Sequence, residues 1–448
     1  MPLVIKLRKG LDIPLKGSAQ KVLVNPPPLS TISLKPTDFR NLTPKLLVKE
    51  GDTIAAGAPV YADKYRPNIL FTTPVGGMVS AIVRGEKRKL LEITIACDPH
   101  LTPVSFPVGP LPEMTREQIT GILLQSGCWP FLVQRPYGMI ANPDDTPRDI
   151  FVSAFDTAPL APDLDFITYG QEEDLQRGID VINRLAPGRV HWNVRGKTAG
   201  HLPKNVVVHH FEGPHPAGNV GVQIHHIAPV SKGDVVWTID PQSLIIIGRL
   251  FATGTLDCRK VVALTGPSVL RPCYLPMLPG TPLINLTEIG ACHPQIRRCI
   301  SGNCLTGDHV GHNGSLGFYH QQITLLPEGN HHELLGWAKP LRPKTFSVSR
   351  TYLSWLTPKK RYALDTNTNG GERAFVMSDV YGKVLPMDIY PVYLLKAILA
   401  GDIDKMEALG MYEVVEEDFA LCEFVCPSKI NIQEIIAKGI DMMIKEMS

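Results

Sequence analysis

Two cysteines near the C-terminus have the spacing of iron–sulfur ligands. Cys422 and Cys426, the latter followed by Pro427, reproduce the final C-x3-C-P of the bacterial cluster run C-x2-C-x2-C-x3-C-P. In the same register the two earlier cysteines would fall at positions 419 and 416, which are Phe419 and Glu416. A four-iron cluster needs four thiolates, and two remain. We therefore expect no cluster on this segment alone and predict two buried cysteines in a helical tail.

A second segment has part of the pattern of a flavin or nucleotide site. A phosphate is held by backbone amides that glycine-rich turns expose at the start of a helix. The sequence contains neither G-x-G-x-x-G nor G-x-x-x-x-G-K-[ST]. The nearest candidate is Leu123 to Phe131, where a predicted helix precedes a single glycine, Gly127. Because Cys128 and Trp129 would fill the space that a phosphate and a flavin ring need, we interpret this loop as a vacated site.

Histidines are concentrated between His201 and His226, and this density raises the question of a metal site. Neighbours such as His209 and His210 would point to opposite faces of a strand, so only one of each pair could join a given site. No H-x-x-x-H falls on a predicted helix. We therefore predict surface or interface histidines and no metal ligands here.

A second group of possible ligands occurs further along the chain. Its members, which lie within 13 residues, are Cys292, His293, Cys299 and Cys304. The spacing C-x6-C-x4-C matches no zinc motif, and the sequence after Cys299 predicts a strand and a turn. Catalytic triads and carboxylate pairs are spatial arrangements, so the sequence assigns no catalytic, cofactor-binding or metal residues.

The composition is that of a soluble folded protein. The chain has 448 residues, 44% hydrophobic and 20% charged, which at about 150 residues per domain predicts three or four units. The longest apolar run, around Leu244 to Gly248, is far shorter than the roughly 20 residues that cross a bilayer. The N-terminal residues lack the apolar core of a secretory signal. Nine cysteines without regular spacing are typical of a reducing compartment.

The overall charge is nearly balanced, with a formal net charge of +2. Nucleic-acid binding requires a concentrated basic face, so we expect no nucleic-acid partner. Local basic patches occur at Arg84 to Lys89 and at Lys359 to Arg361. Each is most simply a solvated loop, and contact with an anionic lipid surface or a partner protein is the alternative.

The first hundred residues have the pattern of a small all-β unit. Val48 to Val60 and Thr73 to Ile82 alternate apolar residues around glycine-centred turns, as in the barrel-sandwich domains that carry biotin or lipoyl groups. Lys64 is the candidate carrier lysine, but the residues that follow lengthen its hairpin, so we expect it to be unmodified. The alternating segment Val4 to Leu7 is expected to add a strand to the same unit.

Residues 101–252 alternate strand and helix patterns and predict a Rossmann-like α/β domain. Ile150 to Ala154 has the apolar run of a buried strand, and Glu172 to Leu185 has apolar residues on one helical face. Arg189 to Val194 and Asn205 to Val208 are further predicted strands.

The remainder divides into residues 253–332 and 333–448. Val261 to Leu264 and Leu283 to Leu286 predict strands of a small α+β module. A Pro- and Lys-rich connector, Lys339 to Lys344, leads into a helical region.

The last predicted helix has the clearest boundaries. Asn431 is its expected N-cap, with Glu434 at the capping-box position. The apolar stripe, which we expect to face the core, consists of Ile432, Ile435, Ile436, Ile440, Met443 and Ile444.

Taken in order, segments along the whole chain resemble one family, the A subunit of the sodium-translocating NADH:quinone reductase. No single segment would identify the family. The number of matching segments and their common order are too great for coincidence. The matching segments are Ile5 to Pro14, Trp129 to Phe131, Gln134 to Tyr137, Phe155 to Ala161, His215 to Asn219, Ile247 to Phe251, Thr253 to Gly254, Val262 to Pro267, Thr368 to Gly370, Met387 to Ile389 and Leu421 to Pro427.

The resemblance implies a multidomain α/β architecture. The expected order is a barrel-sandwich domain (1–100), a Rossmann-like domain similar to a degenerate FMN-binding domain (101–252), a β-grasp-like SLBB module (253–332) and a helical C-terminal domain with half a cluster motif (333–448). The chain is also distantly similar to the C subunit of the Rnf complex, which keeps its cluster cysteines. A further distant similarity is to the flavin subunit of respiratory complex I, whose corresponding loop is rich in glycine.

The resemblance also implies a function. We expect a peripheral subunit, on the cytoplasmic face of the bacterial inner membrane, of a six-subunit complex that oxidises NADH, reduces quinone and exports sodium. FAD, FMN, riboflavin and iron or iron–sulfur centres are expected in other subunits, and no cofactor in this chain. Its expected partners are the other subunits, especially the membrane B subunit. Quinone is a further candidate, and the sequence does not identify residues that would contact it.

Two alternatives stay open at this point. The chain could be a purely structural scaffold that stabilises the complex without touching substrate. It could also be a stand-alone flavin- or NADH-dependent dehydrogenase that uses residues 101–252.

Overall fold

The computed structural model describes residues 2–186, 188–196, 202–284, 286, 297–311, 313–329, 331, 342, 344–348 and 354–446. The predictions made for His201, Cys292, His293 and most of the connector 339–344 lie outside these residues.

Strands dominate the first three quarters of the described chain and helices the last quarter. The strands are β1 (Val4–Lys6), β2 (Thr31–Leu34), β3 (Pro44–Leu46), β4 (Thr53–Ile54), β5 (Pro59–Asp63), β6 (Leu70–Thr72), β7 (Gly77–Arg84), β8 (Leu90–Cys97), β9 (Val133–Arg135), β10 (Met139–Ile140), β11 (Ile150–Ser153), β12 (Val190–Arg195), β13 (Val207–Glu212), β14 (Val236–Thr238), β15 (Lys260–Thr265), β16 (Cys273–Met277), β17 (Arg297–Ser301), β18 (Asp308–His309) and β19 (Gln322–Pro327). The helices are α1 (Arg116–Gln125), α2 (Leu164–Thr168), α3 (Glu172–Leu185), α4 (Val220–Ile227), α5 (Pro241–Thr253), α6 (Pro391–Ala400), α7 (Ile403–Ala408), α8 (Ala420–Val425) and α9 (Ile432–Glu446).

The N-terminal unit consists of two small antiparallel sheets. One has the strand order β2-β8-β7-β4 and the other the order β3-β5-β6. The first sheet turns Ile32 of β2 and Ile93 of β8 inward, and both are fully buried. Tyr61 and Phe71 stack across the β5–β6 pair with ring centroids 4.5 Å apart.

The central sheet has strand order β1-β13-β12-β11-β14-β9-β10. The first five strands run parallel, and β9 and β10 are antiparallel additions. Along the chain the parallel strands proceed from β11 through β12 to β13, and β14 then returns to the other side of β11. This reversal places a topological switch point between β11 and β14, where open α/β sheets bind ligands beyond the carboxyl ends of their strands.

The strand predicted at Val4 to Leu7 forms, but not in the expected sheet. β1 pairs in parallel with β13, with Val4 opposite His210, so its assignment to the N-terminal β unit was wrong. The alternating pattern of a short edge strand identifies a strand and not its partner, because the partner is fixed by tertiary contacts.

Helices α3 and α5 pack closely against each other. The predicted bounds of α3 are confirmed at Glu172–Leu185, and its apolar residues Leu175, Ile179 and Ile182 are buried. Glycine makes the close approach possible: a Cβ on Gly248 would lie 1.8 Å from the carbonyl oxygen of Asp174. The predicted strands at 150–154 and 189–194 also form, whereas the third starts two residues late, at Val207.

The third unit is a five-stranded sheet in the order β16-β15-β19-β17-β18. The prediction of a strand at 261–264 is confirmed by β15. Leu283 instead lies in a turn, so the strand predicted at 283–286 was wrong. Leu283 and Leu286 are buried in the core of this unit, which explains their apolar character without a strand.

The described part of the C-terminal region contains α6 to α9. Helix α9 begins after Asn431, whose Nδ2 donates to Oε2 of Glu434 at 3.3 Å. Ile432, Ile436 and Ile440 are fully buried, so the expectation that this stripe faces the core is confirmed. Among the helices that the structure describes, none combines the length and the apolar character needed to cross a bilayer.

Candidate functional site

A cavity of about 800 Å³ lies at the switch point of the central sheet. Its floor includes Ser153 and Asp156, at and after the end of β11, and Thr238 and Asp240, at and after the end of β14. This is the position at which the topology of the sheet predicts a ligand.

Every large unit of the described chain contributes a wall to this cavity. The N-terminal unit supplies Asp38 and Arg40, the five-stranded sheet supplies the loop and strand around His320, and α9 supplies Glu434. These segments are far apart in the sequence. The cavity therefore forms only when the whole chain is folded.

The described lining residues are strongly acidic. Two arginines oppose the acids, and both are already engaged: Arg40 with Glu416 and Asp441, and Arg135 with Glu417 at 2.6 Å. The carboxylic residues of the lining are Asp38, Asp156, Asp240, Asp308, Glu416, Glu417 and Glu434. A negatively charged ligand would therefore enter against a net negative charge.

The start of α5 is occupied by a side chain of the protein itself. Oδ1 of Asp240 accepts hydrogen bonds from the backbone N–H groups of Gln242 (3.0 Å) and Ser243 (3.1 Å). The Nε2 of Gln321 donates to the same oxygen at 2.6 Å. These amides would otherwise attract an anion to the helix start.

The start of α4 is likewise covered by a carboxylate. A Cβ on Gly221, in the first turn, would lie 2.6 Å from both carboxylate oxygens of Asp418. Glycine is therefore required here, because it lets Asp418 pack directly on the helix. Burial raises the pKa of Asp418, while the guanidinium of Arg135, 3.6 Å away, acts in the opposite direction.

Asp240 thus caps the start of α5, and Asp418 packs against the first turn of α4. A mononucleotide or dinucleotide phosphate would have to displace one of them and would meet the surrounding acids. The site is therefore better suited to a neutral ligand than to a phosphate.

His320 offers a hydrogen-bond donor to the cavity. Its Nδ1 lies 2.8 Å from Oγ of Ser301, and that Oγ accepts from the backbone N–H of Gly317 at 2.9 Å. With the Ser301 proton directed to Nδ1, the ring proton is assigned to Nε2, which has no hydrogen-bond partner among the described residues. Burial lowers the pKa of His320, so the ring is neutral at pH 7.

Two carboxyl groups of the lining are poised to hold a proton. Burial raises the pKa of Asp38 to about 6, although the backbone N–H of Phe318 donates to it at 2.8 Å. Burial also raises the pKa of Asp156, and the charge of Glu417 raises it further. The cavity thus combines a neutral histidine with two carboxyl groups whose pKa is raised by burial.

Comparison with known proteins identifies the family. Residues 5–98 match the family model described as the NqrA N-terminal barrel-sandwich hybrid domain, and residues 114–256 match the NqrA second alpha/beta domain. The chain is 41% identical over 440 residues to the A subunit of the Na(+)-translocating NADH-quinone reductase of Serratia proteamaculans, covering 97% of this chain and 98% of that one. It is 38% identical over 450 residues to its counterpart from Neisseria meningitidis, covering 99% and 100%.

The chain belongs to the family of Na(+)-translocating NADH-quinone reductase A subunits. This confirms the resemblance drawn from the sequence and the barrel-sandwich assignment of the N-terminal unit.

In this member of the family, the half cluster motif is confirmed as two buried cysteines in a helical tail. Cys422 and Cys426 are both fully buried, at and just after α8. The hydroxyl of Tyr381 lies 3.1 Å from Sγ of Cys426, and burial raises the pKa of the Cys422 thiol. Phe419, at a missing ligand position, is fully buried in the core.

The loop interpreted as a vacated flavin site is tightly packed. Cys128 and Trp129 are fully buried, and Nε1 of Trp129 donates to the carbonyl of Ala141 at 2.7 Å. Trp129 also packs edge to face on Trp237. The expected helix before the loop is α1, and Phe131 at the end of the loop reaches the cavity wall.

The described histidines between residues 202 and 226 do not share one site, and His209 and His215 are buried and not on the surface. His209 pairs with His191 at 2.9 Å, whereas Nδ1 of His210 lies 2.7 Å from the carbonyl of Gly196, so the neighbours do point apart. His215, which lines the cavity, is held by Thr157 at 3.0 Å, and burial lowers its pKa to about 4. In the described part of the chain no group of His, Cys, Asp and Glu is arranged to hold a metal ion.

Lys64 lies just after β5 on the long β5–β6 hairpin and contacts only its neighbour Tyr65 among aromatic rings of the described residues. Sequence reasoning missed Asp240 and His320 as cavity residues. Asp240 could have been found, because Asp before Pro at a helix start is a recognised N-cap signal. His320 has no such signal, because its role depends on strands that meet only in the fold.

Proposed function

We propose that this chain is a peripheral subunit of a sodium-pumping NADH:quinone oxidoreductase and helps reduce quinone to quinol in a reaction coupled to sodium export. It binds no flavin and no iron–sulfur cluster; FAD, FMN, riboflavin and the iron centres belong to other subunits. Its place is the cytoplasmic face of the bacterial inner membrane, against the membrane B subunit. Family membership supports this assignment.

The finer architecture is part of the same proposal. Residues 1–100, apart from strand β1, form the barrel-sandwich unit, 101–252 a Rossmann-like domain, 253–332 a β-grasp-like SLBB module and 333–448 a helical domain. The parallel order of the central sheet and the helices α6 to α9 support these divisions.

The observation that carries the proposal is the carboxylate of Asp240, which caps the start of α5 in the cavity. A phosphate would have to displace Asp240 and would meet the acid-rich lining, so a dehydrogenase with its own FMN or NADH is disfavoured. A quinone headgroup is neutral and has two carbonyl acceptors, which suits an uncharged donor in a partly apolar cleft. Nε2 of His320 supplies that donor.

The chemistry required of this chain is positioning and proton supply. Reduction of a quinone to a quinol takes up two electrons and two protons, and the electrons come from NADH through the other subunits. Phe131, Phe155 and Ile239 give apolar walls, and His320 holds one carbonyl. Asp38 and Asp156, with their raised pKa, are candidates to hold protons for the reduced ring.

A pure scaffold is the second candidate, and a specific observation favours it. The acid-rich cavity wall is built largely from contacts between domains, such as the Arg135–Glu417 pair, which would be retained for stability alone. On this alternative the cavity stays empty of substrate.

Photolabelling of the assembled complex with a photoreactive quinone tests the proposal. We expect label on peptides that line the cavity, and we expect the variant His320→Gln to lower that labelling at least fivefold. The exposed neighbour His309→Gln is the matched control and should leave labelling unchanged. If the membrane subunits are labelled and this chain is not, its quinone role is excluded and the scaffold is left.

A visible spectrum of the purified chain tests the proposal that it binds no flavin and no iron–sulfur cluster. We expect no flavin band near 450 nm and no iron–sulfur absorption. A stoichiometric flavin would restore the dehydrogenase alternative.

A further inference from the structure

Residues 355–361 form a short exposed projection that is fixed at both ends. Ser354 on one side is buried and bonds through Oγ to the carbonyl of Ser347 at 3.1 Å. Tyr362 on the other side is buried, and its backbone pairs with the N-terminal segment at Leu15. All seven residues between these anchors are exposed, so the projection is presented to the surroundings at a fixed place on the surface.

The projection separates apolar and basic side chains along its length. Trp355 and Leu356 come first and are 52% and 58% exposed, which is unusual for side chains of this size. Lys359, Lys360 and Arg361 follow, and no Asp or Glu occurs between residues 354 and 362.

A further basic residue joins the patch from elsewhere in the chain. The N–H of Lys16 donates to the carbonyl of Tyr362 at 2.9 Å, and the N–H of Tyr362 donates to Pro14 at 2.7 Å. Lys16 is exposed, so this pairing adds a fourth cation beside the three of the projection.

We propose that residues 355–361, with Lys16, dock on the headgroup layer of an anionic lipid bilayer. Trp355 and Leu356 enter the interface, and the four cations meet lipid phosphates. The inference rests on the proposed position of the chain at the membrane and names the surface that makes the contact.

The charge and the aromatic character of this surface together favour lipid as its binding partner. Tryptophan with an adjacent leucine favours the water–hydrocarbon boundary, and clustered Lys and Arg are attracted to acidic headgroups. The other basic patch of the chain, at 84–89, provides a contrast within the same molecule. It includes Glu86 and no aromatic residue, so it has the charge without the apolar anchor.

Sedimentation of the full chain with vesicles tests the electrostatic part. Vesicles of one third phosphatidylglycerol in phosphatidylcholine should bind the chain, and pure phosphatidylcholine should bind it much more weakly. A basic residue near such a surface contributes about a fivefold gain in partitioning, so Lys359→Gln/Lys360→Gln/Arg361→Gln should lose about 100-fold. The matched control, Lys87→Gln/Arg88→Gln/Lys89→Gln, should lose less than fivefold.

Quenching of tryptophan fluorescence by brominated lipid tests insertion. The described tryptophans Trp129, Trp192 and Trp237 are buried, so Trp355 should supply the lipid-dependent signal among them. With Trp337, which lies outside the described residues, replaced by Phe in every sample, the variant Trp355→Ser should abolish that quenching and keep the same unfolding midpoint, since the side chain is exposed.

Three results would overturn the inference: no binding to anionic vesicles, equal loss in both triple variants, or quenching that survives in Trp355→Ser. Loss of assembly with the other subunits while vesicle binding stays normal in the 359–361 triple variant would assign the patch to a protein partner instead. Photolabelling by quinone is independent of these measurements, so failure of either proposal is recognised separately.

Discussion

Asp38 shows how one buried carboxyl couples the fold to pH. Its ordinary pKa is near 4 and its folded pKa is about 6, so the folded state holds a proton that the unfolded chain releases. Stability from this group is therefore complete below pH 4 and is lost as pH rises to 6.

The variant Asp38→Asn should remove this dependence. The amide oxygen can still accept the N–H of Phe318, and no charge is buried at high pH. At pH 8 we expect the unfolding free energy of the variant to exceed that of the parent by about 3 kcal/mol, and at pH 4 we expect the two to be equal. Urea unfolding at both pH values measures this. The exposed Asp379→Asn is the control, and an equal shift there would refute the assignment to Asp38.

Cys422 and Cys426 are expected to resist modification. Reaction requires the thiolate and access of the reagent, and burial denies access to both sulfurs and raises the pKa of Cys422. Under native conditions iodoacetamide should label the partly exposed Cys97 faster than either, and all three should react in 6 M guanidinium. Mass spectrometry of the digested protein gives the ratio. Rapid native labelling of Cys426 would contradict the buried pair.

At the scale of elements, the crossing of α3 and α5 depends on glycine. The variant Gly248→Ala places a methyl group against the carbonyl of Asp174, so we expect a loss of about 3 kcal/mol in unfolding free energy. The helical glycine Gly121 has open space around it, and Gly121→Ala should gain up to about 1 kcal/mol. Chemical denaturation of both variants is the measurement. Equal changes in unfolding free energy would show that helix propensity, and not the close contact between α3 and α5, determines the effect of Gly248→Ala.

The same elements show what the sequence can predict. The bounds of α3 follow from one strong helical stripe, and β15 from a β-branched run. The strand predicted at 283–286 was wrong because a buried turn in a small module has the same apolar character as a strand. The sheet predicted for β1 was wrong because its partner, β13, lies about two hundred residues away. No local sequence pattern encodes that pairing.

At the scale of the whole molecule, Arg135 joins the central sheet to the C-terminal region. Its side chain is only 7% exposed, and the guanidinium bonds Glu417 at 2.6 Å and faces the buried Asp418. Removing one partner of a buried pair leaves the other uncompensated.

The variant Arg135→Gln should therefore lose about 3 kcal/mol and speed hydrogen exchange in α8 and α9. Lys232, which pairs with Glu407 across the same two regions but is 61% exposed, is the matched control. Lys232→Gln should cost less than about 1 kcal/mol. Exchange that rises equally in both variants would show that Arg135 has no special part in the attachment.

The cavity could be predicted from the sequence only in outline. The burial of Cys422 and Cys426 could be predicted from the half cluster motif, and the helix α1 from the segment before Gly127. The acids that cover the helix starts were not identified, because Asp418 reaches Gly221 from a segment almost two hundred residues later. A site that forms between domains has no contiguous signature.

The position of β1 has a consequence for biosynthesis. Its residues are synthesised some two hundred residues before their neighbours around His210. At 5–20 residues per second, that delay is roughly 10–40 s, during which β1 has no partner strand. The central sheet therefore cannot close while its first strand is being made, and β1 must stay unpaired until β13 has emerged.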